Sequence, residues 1–178
     1  MILRALSGLT LAAALLVPAL ASAATQVVYV TRHAEKAAVD KPAADMASVG
    51  TDPGLTAQGA ARARMLGVLL QKTGIKAIYS TATKRTRQTA QPLAERLNVK
   101  VEEYDAAKPA VVVEKIKSAA VPTLLVGHSN TVPELVKLLG GGTVPAIADD
   151  EFDRLYQVSL HDNGTVSTVL LTTSAVSP

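Results

Sequence analysis

The residues of this sequence best suited to chemistry are Arg32 and His33, which follow the apolar, β-branched run Val27–Val30. Such a run predicts a buried strand. A guanidinium beside an imidazole packs poorly at the end of a buried strand, but together the two groups can bind an anion and attack it. We therefore take this pair as the centre of a candidate site.

Two further basic side chains follow other predicted strands. His128 comes just after the strand predicted over 122–126, and Arg85 follows the strand predicted over 76–80. Ligands of open α/β sheets bind outside the carboxyl ends of the strands, so these side chains are expected to join the first pair.

Arg85 also begins a predicted helix, together with Lys84 and Arg87. Cations at a helix N-terminus oppose the macrodipole at a cost of about 0.3–1 kcal/mol each. A bound anion would explain them, because the free backbone N–H groups add donors. For Lys84 and Arg87 we favour a solvated surface instead, and for Arg85 we favour function.

Two histidines and two arginines around one anion suggest phosphoryl transfer to nitrogen. A neutral imidazole, with a pKa of about 6.5, is a competent nucleophile. Arginines bind phosphoryl oxygens in bidentate fashion, and a second, protonated histidine adds a charged hydrogen bond. The alternative is a zinc site that includes Glu35 or an aspartate. It is disfavoured because Arg32 and Arg85 would repel the cation and no His-x-x-His spacing occurs.

The elements that position these residues alternate along the chain. Strands are predicted over 26–32, 76–80, 99–101, 122–126, 154–160 and 165–171, and helices over 56–73, 84–97, 109–118 and 131–139. Asn163-Gly164 is a strong hairpin turn. This order predicts an α/β fold, a three-layer α/β/α sandwich with a mixed, mostly parallel sheet and a C-terminal β-hairpin.

The first predicted helix has Thr56 as its N-cap and Gly74 as its C′ residue. Its broad apolar face is assigned to Ala60, Ala63, Leu66, Val68, Leu69 and Leu70. Residues 37–54, which precede it, lack periodicity and form either a lid or surface filler.

Composition excludes several classes. The 18 basic and 15 acidic side chains give a net charge of +3, and loss of Arg4 would leave +2. This balance, with one Phe, four Tyr and no Trp, does not suggest nucleic acid binding. No cysteine is present, which excludes disulfides and lipoprotein anchoring through cysteine.

Residues 1–24 have the pattern of a signal peptide, with Arg4 in a basic start, an apolar stretch from Leu6 to Leu20, and Ala21-Ser22-Ala23 as the cleavage pattern. A retained membrane anchor is the alternative. We expect cleavage after Ala23 or Ala24, no membrane association thereafter, and a single domain over 25–178 in the periplasm or outside the cell.

Four segments resemble motifs of the histidine phosphatase superfamily, the phosphoglycerate-mutase-like proteins. Thr31-Arg32-His33-Ala34-Glu35-Lys36 is similar to its Arg-His-Gly/Ala-Glu motif, and Leu55-Thr56-Ala57-Gln58-Gly59 to its helix start. The run from Ser80 to Ala90 resembles Ser-x-x-x-x-Arg-x-x-Gln-Thr-Ala, and Val126-Gly127-His128-Ser129-Asn130 resembles its Gly-His segment. The four occur in the family's order and cover nearly all of the chain after residue 24.

The resemblance implies the family's α/β/α sandwich and a set of roles. His33 would be the phosphorylated nucleophile, and Arg32, Arg85 and His128 would form the phosphate pocket. No metal or cofactor is needed. Ser129 caps the following helix or also touches the phosphate.

The general acid is the least defined residue. The family often uses a Glu in an insertion after the second Arg motif, and this chain has no sizeable insertion there. We favour Asp105, ahead of Glu103 and Glu102, whose other interpretation is a solvated turn. Glu35 is assigned to orienting Arg32 or to a pocket hydrogen bond.

The predicted activity is that of a histidine acid phosphatase-type phosphoric monoester hydrolase acting on a small-molecule or cell-envelope phosphate. Two alternatives stay open: a phosphohistidine or phosphoprotein phosphatase, and a non-catalytic protein that keeps the phosphate pocket. Mutase activity is disfavoured because the chain lacks the insertions that shape the mutase pocket. The sequence does not specify the oligomeric state.

Overall fold

The computed structural model describes residues 25–38 and 52–173. The predicted signal peptide, residues 1–24, lies outside the described residues, as does most of the segment 37–54 that was considered as a lid. No helix in the described ranges is both long and apolar enough to span a membrane.

Six strands and four helices make up the described fold. In chain order they are β1 (Thr25–Arg32), α1 (Ala57–Leu70), β2 (Ala77–Ser80), α2 (Lys84–Leu97), β3 (Val101–Glu103), α3 (Pro109–Ala119), β4 (Thr123–Gly127), α4 (Val132–Leu139), β5 (Arg154–His161) and β6 (Val166–Thr172).

All six strands form one mixed sheet in the order β3-β2-β4-β1-β5-β6. The first four strands of that order are parallel, whereas β5 and β6 run antiparallel as a hairpin. The register pairs Arg32 with Gly127 and Ser80 with Val126. The carboxyl ends of β1, β2 and β4 therefore meet at one edge of the sheet, where the candidate site was predicted.

Helices cover both faces of the sheet. One core cluster joins the sheet to α1 and α2 through Leu66, Leu70 and Leu93. The other joins it to α3 and α4 through residues such as Ile116 and Leu135. These two cores arise because β1 and β4 are apolar on both faces, as strands between two helical layers must be. The three-layer α/β/α sandwich with a C-terminal hairpin is confirmed.

The first helix differs from its prediction. Thr56 is its N-cap and accepts a hydrogen bond from the Gly59 N–H at 3.0 Å, but the helix ends at Leu70 rather than near Thr73. Gly74, at φ +78°, lies in the turn that follows instead of at the C′ position. Val68 and Leu69 are 50% and 51% exposed, so the buried face is narrower than predicted.

The third strand is also displaced. It covers Val101–Glu103 rather than 99–101, because this segment pairs in parallel with β2 and Ser80 lies opposite Glu103. Two of the carboxylates considered as acids, Glu102 and Glu103, are therefore strand residues and not part of a polar turn.

Helix α1 approaches the loop after His33 so closely that only glycine fits at position 59. A Cβ built on Gly59 would lie 2.2 Å from the Glu35 backbone oxygen. The same oxygen accepts a hydrogen bond from the Thr56 N–H at 2.9 Å. The start of α1 thus fixes the backbone that follows β1.

Replacing Gly59 by alanine should therefore destabilise the protein, by about 2 kcal/mol, because a backbone clash cannot be relieved by a side-chain rotation. In an ordinary helix the same substitution stabilises by about 0.5–1 kcal/mol, so the sign of the change in unfolding free energy shows whether the close approach exists. Urea denaturation measures the free energy of unfolding. Ala61→Gly, on the exposed face of α1, is the control and should cost only the helix-propensity difference. A stabilised Gly59→Ala variant would contradict the close approach.

Candidate active site

His33 lies immediately after β1 and is only 3% exposed. Its N–H donates to the Gly127 carbonyl at 2.9 Å, which ties it to the end of β4. Its ring Nδ1 lies 2.7 Å from the Ala34 carbonyl oxygen. A carbonyl oxygen only accepts hydrogen bonds, so Nδ1 carries the proton of the neutral ring. The Nε2 lone pair is then the nucleophilic one.

Arg32 is held by the loop that precedes β5. Its Nη1 donates to the backbone oxygens of Ala148 and Glu151 at 2.7 and 2.8 Å, and its guanidinium lies 4.1 Å from the centroid of the Phe152 ring. The same ring lies 6.1 Å from the His33 ring. These contacts fix Arg32, and none of the carboxylates in the described residues bonds directly to it, although the charges of Asp149, Asp150 and Glu151 act on it.

Arg85 lies in the first turn of α2 and contacts Asp52, with 3.5 Å between Nη1 and Oδ1. The other Asp52 oxygen accepts the Lys84 N–H at 2.8 Å, so Asp52 caps α2 from outside the helix. Thr83, the N-cap residue itself, makes no side-chain capping bond.

The guanidinium Nε atoms of Arg32 and Arg85 are buried and have no hydrogen-bond partner among the described residues. An unsatisfied buried donor on a charged group is uncommon and requires an explanation. Two such donors near one nucleophile are the arrangement expected around a bound phosphoryl group.

His128 brings the end of β4 to the same place. Its ring centroid lies 5.4 Å from that of His33, with the ring planes at 68°. Its Nε2 lies 3.0 Å from the Thr81 hydroxyl, and its N–H donates to the Thr131 hydroxyl at 2.9 Å. The structure thus brings together the four residues predicted to converge: Arg32, His33, Arg85 and His128.

The electrostatics keep both histidines neutral near pH 7. Burial, together with the charge of Arg32, lowers the pKa of His33 to about 4, against a smaller rise from the bond to the Ala34 carbonyl. Burial and then the charges of Arg85 and Arg32 lower the pKa of His128 to about 4. A neutral His33 ring has the free lone pair that attack on phosphorus requires.

Glu35 does not orient Arg32 through a hydrogen bond, one of the two roles predicted for it, and a pocket hydrogen bond stays a prediction. Its carboxylate accepts three hydrogen bonds from Arg62, at 2.7 to 3.0 Å, rather than bonding to Arg32. Burial raises the pKa of Glu35, but the hydrogen bonds from Arg62, a backbone hydrogen bond and the charges of Arg62 and Arg32 together lower it. Arg62 also donates to the Thr173 carbonyl, so this ion pair fastens the loop after His33 to α1 and to the end of the sheet.

The three candidate acids lie on or just after β3. Asp105 lines a surface groove with His128 and Thr81, and its side chain is 58% exposed. One oxygen of Asp105 accepts the Ala107 N–H at 2.9 Å. Glu103 pairs with Arg87 at 2.6 Å, which gives Arg87 the surface role expected for it. Glu102 pairs with Lys115, also at 2.6 Å, in a second exposed ion pair.

Ser129 follows His128 and is half-buried, but it does not cap α4. The N-cap position belongs to Thr131, whose hydroxyl instead accepts the His128 N–H. The capping prediction for Ser129 is therefore wrong. A contact between its hydroxyl and a bound phosphate stays a prediction.

Sequence reasoning missed Asp52, Phe152 and Arg62. The Asp52 carboxylate and the Phe152 ring touch the two arginines, and Arg62 holds Glu35. Phe152 is the single phenylalanine of the chain, and this rarity was the one feature of the sequence that could have drawn attention to it. In the described ranges no group of three or more His, Cys, Asp or Glu side chains is arranged to hold a metal ion.

Comparison with known proteins gives a consistent result. The family model described as histidine phosphatase superfamily (branch 1) matches residues 28–108. No curated protein matches the chain.

Solved structures similar to this one include two phosphatases. The protein histidine phosphatase SixA complexed with tungstate is 22% identical, with a TM-score of 0.62, and the match covers 83% of this chain and 97% of that chain. The mycobacterial glucosyl-3-phosphoglycerate phosphatase Rv2419c with inorganic phosphate is 15% identical, with a TM-score of 0.61, covering 84% and 98%. At these identities the likeness shows a shared fold.

Acidification from pH 6.5 to pH 4 should destabilise the ligand-free protein. The unfolded histidines bind protons near pH 6.5, whereas His33 and His128 do so only near pH 4 in the folded state. In this window the unfolded state binds more protons, so the free energy of unfolding falls as the pH falls. Urea denaturation across the window measures the slope, and His33→Gln should flatten it. Equal slopes for the wild type and His33→Gln would contradict the lowered pKa of His33.

Proposed function

We propose that the chain is a member of the histidine phosphatase superfamily, whose family model matches residues 28–108, and that it is a phosphomonoester hydrolase acting through a phosphohistidine on His33. The observation that carries the proposal is the state of the His33 ring. Its Nδ1 proton is held by the Ala34 carbonyl, and its Nε2 is left to attack beside two arginines with unpartnered Nε atoms. This combination supports covalent catalysis rather than simple anion binding.

In the first step, His33 Nε2 forms a bond to phosphorus as the bond from phosphorus to the leaving oxygen breaks. Arg32 and Arg85 stabilise the charge on the non-bridging oxygens, and His128 lies beside the His33 ring to add a further contact. In the second step a water molecule attacks phosphorus, the phosphorus–nitrogen bond breaks, and inorganic phosphate and neutral His33 are released.

Asp105 is the proposed general acid, because it lines the groove that contains His128. It would give a proton to the leaving oxygen in the first step and take one from water in the second. Its exposure supports a substrate whose leaving group needs little assistance, since the acids that enzymes tune for strong assistance are buried. Glu103 lines the same groove, but it and Glu102 are less suited because each is held in an ion pair of 2.6 Å, whereas Asp105 and Lys108 are 4.0 Å apart.

The substrate class we propose is a small-molecule or cell-envelope phosphate, within the histidine acid phosphatase type. The exposed Asp105 also favours a second candidate, a phosphohistidine or phosphoprotein phosphatase, because imidazole is a good leaving group once protonated. The name of the similar SixA structure, a protein histidine phosphatase, is in line with this candidate. The pattern of residues 1–24 supports export to the periplasm or beyond, followed by cleavage.

A phosphate donor should label the wild-type protein on a nitrogen of His33. The label should be acid-labile and base-stable, as a phosphorus–nitrogen bond is, and absent from His33→Ala. His161→Ala is the control and should be labelled normally, because His161 hydrogen-bonds to Thr25 and Ser167 on the β1–β5–β6 side of the sheet. A wild type that is never labelled, and that hydrolyses none of a broad panel of phosphate esters and phosphohistidine, would leave only the non-catalytic phosphate-binding protein.

Removing the Arg85 side chain should weaken vanadate or phosphate binding by about 1.5–3 kcal/mol, the worth of a charged hydrogen bond. Isothermal titration calorimetry gives the dissociation constants. Arg87→Ala is the matched control, because Arg87 lies in the same helical turn but pairs with Glu103 at the surface. Equal affinities for Arg85→Ala and the wild type would remove Arg85 from the pocket.

A further inference from the structure

A chain of three threonine hydroxyls leads from the first turn of α2 to the His128 ring. The Thr81 hydroxyl oxygen lies 3.0 Å from His128 Nε2 and 2.9 Å from the Thr86 hydroxyl oxygen. The Thr86 hydroxyl lies a further 2.9 Å from that of Thr83. Thr81 and Thr86 are 3% and 0% exposed, so water does not compete for these bonds.

The direction of the hydrogen bonds follows from the number of protons available. The Thr86 hydroxyl lies 2.9 Å from the backbone oxygens of both Thr81 and Thr83. Carbonyl oxygens have no proton to give, so the single Thr86 proton is directed to them. The Thr86 oxygen then accepts from Thr81 at 2.9 Å, a shorter distance than the 3.4 Å between the Thr81 and Thr83 hydroxyls, so the single Thr81 proton is directed to Thr86.

With its proton committed to Thr86, the Thr81 oxygen can only accept from His128. We propose that Thr81 and Thr86 are positioning residues that hold neutral His128 in the tautomer with the proton on Nε2. Nδ1 is then the nitrogen that meets the phosphoryl group. This inference rests on the proposed function for its catalytic meaning, although the tautomer itself is a property of the ligand-free protein.

The tautomer determines what His128 can do. A neutral Nδ1 accepts a hydrogen bond from a phosphoryl O–H, and a protonated Nδ1 donates one to a phosphoryl oxygen. In both states Nε2–H remains bonded to Thr81, so the ring does not need to turn when its charge changes. Preorganised groups of this kind contribute more to catalysis than groups that must reorient.

Nitrogen-15 NMR of the ligand-free protein at neutral pH tests the tautomer directly, because the protonated and unprotonated nitrogens of neutral imidazole have well separated shifts. The wild type should show a protonated Nε2 and an unprotonated Nδ1 at His128. Thr81→Val, which is nearly isosteric but has no hydroxyl, should shift His128 toward a mixture of tautomers. Thr81→Ser should restore the wild-type pattern.

Thr83→Val is the matched control, because Thr83 contacts Thr86 at 2.9 Å and Thr81 only at 3.4 Å and has no contact with His128. It should leave the His128 shifts unchanged. Thr86→Val, which removes the acceptor of the Thr81 proton, should also change the His128 shifts, and Thr81→Val alone carries the test if Thr86→Val does not fold. In kinetics with a phosphate ester, kcat/KM of Thr81→Val should fall about five- to tenfold, the effect of losing one buried hydrogen bond, with Thr81→Ser close to the wild type.

The outcomes separate the two proposals. A protonated Nδ1 at His128 in the wild type, or an unchanged tautomer in Thr81→Val, would overturn the positioning role whatever the enzyme does. Failure of His33 labelling and of ester hydrolysis, with the predicted NMR pattern intact, would overturn the proposed function and leave the threonine chain as a structural device.

Discussion

The site depends on the pairing of β1 with β4 at the middle of the sheet. The register of these parallel strands places Arg32 opposite Gly127, and the next backbone bond joins His33 N–H to the Gly127 carbonyl. The residues that follow, His33 and His128, therefore leave the sheet side by side. A shift of one residue in register would turn the side chains of one strand to the other face and separate the two rings. Because both strands are buried on two faces, such a shift is strongly resisted.

Around this pair the structure concentrates positive charge and limits its neutralisation. Backbone oxygens and the ring of Phe152 hold Arg32. The one carboxylate paired with Arg85 among the described residues, that of Asp52, is a long 3.5 Å from Nη1. Burial keeps the pKa of Arg32 below its ordinary value, although the charges of Asp149, Asp150 and Glu151 act to raise it. The low pKa values of His33 and His128 have the same origin, since two buried imidazolium ions beside two guanidinium ions would be costly. Neutral histidines are therefore both a condition for stability of the empty site and a condition for nucleophilic attack.

Much of the fold and the centre of the site could be predicted from the sequence, because they depend on local patterns. The second helix covers 84–97 as predicted, and the residues at the strand ends meet because parallel strands share one edge. The contacts of Asp52, Phe152 and Arg62 could not be predicted, since each joins segments far apart in the chain without a repeating pattern. Glu35 is an example. It is only two residues from His33 in the sequence, which suggested a role in the site, but its carboxylate forms an ion pair with Arg62.

The groups that hold the site in place are not the four predicted pocket residues themselves, and each fixes a different part of the site. Arg62 and Gly59 fix the loop after His33, Asp52 caps the helix that presents Arg85, and Thr81 holds His128. The unpartnered donors are the Nε atoms of Arg32 and Arg85, and none of the contacts named above uses these two atoms. An anion could therefore bind to them without breaking those contacts. The ordering of the pocket is therefore achieved when the chain folds, and the free energy of anion binding is available for stabilising the transition state.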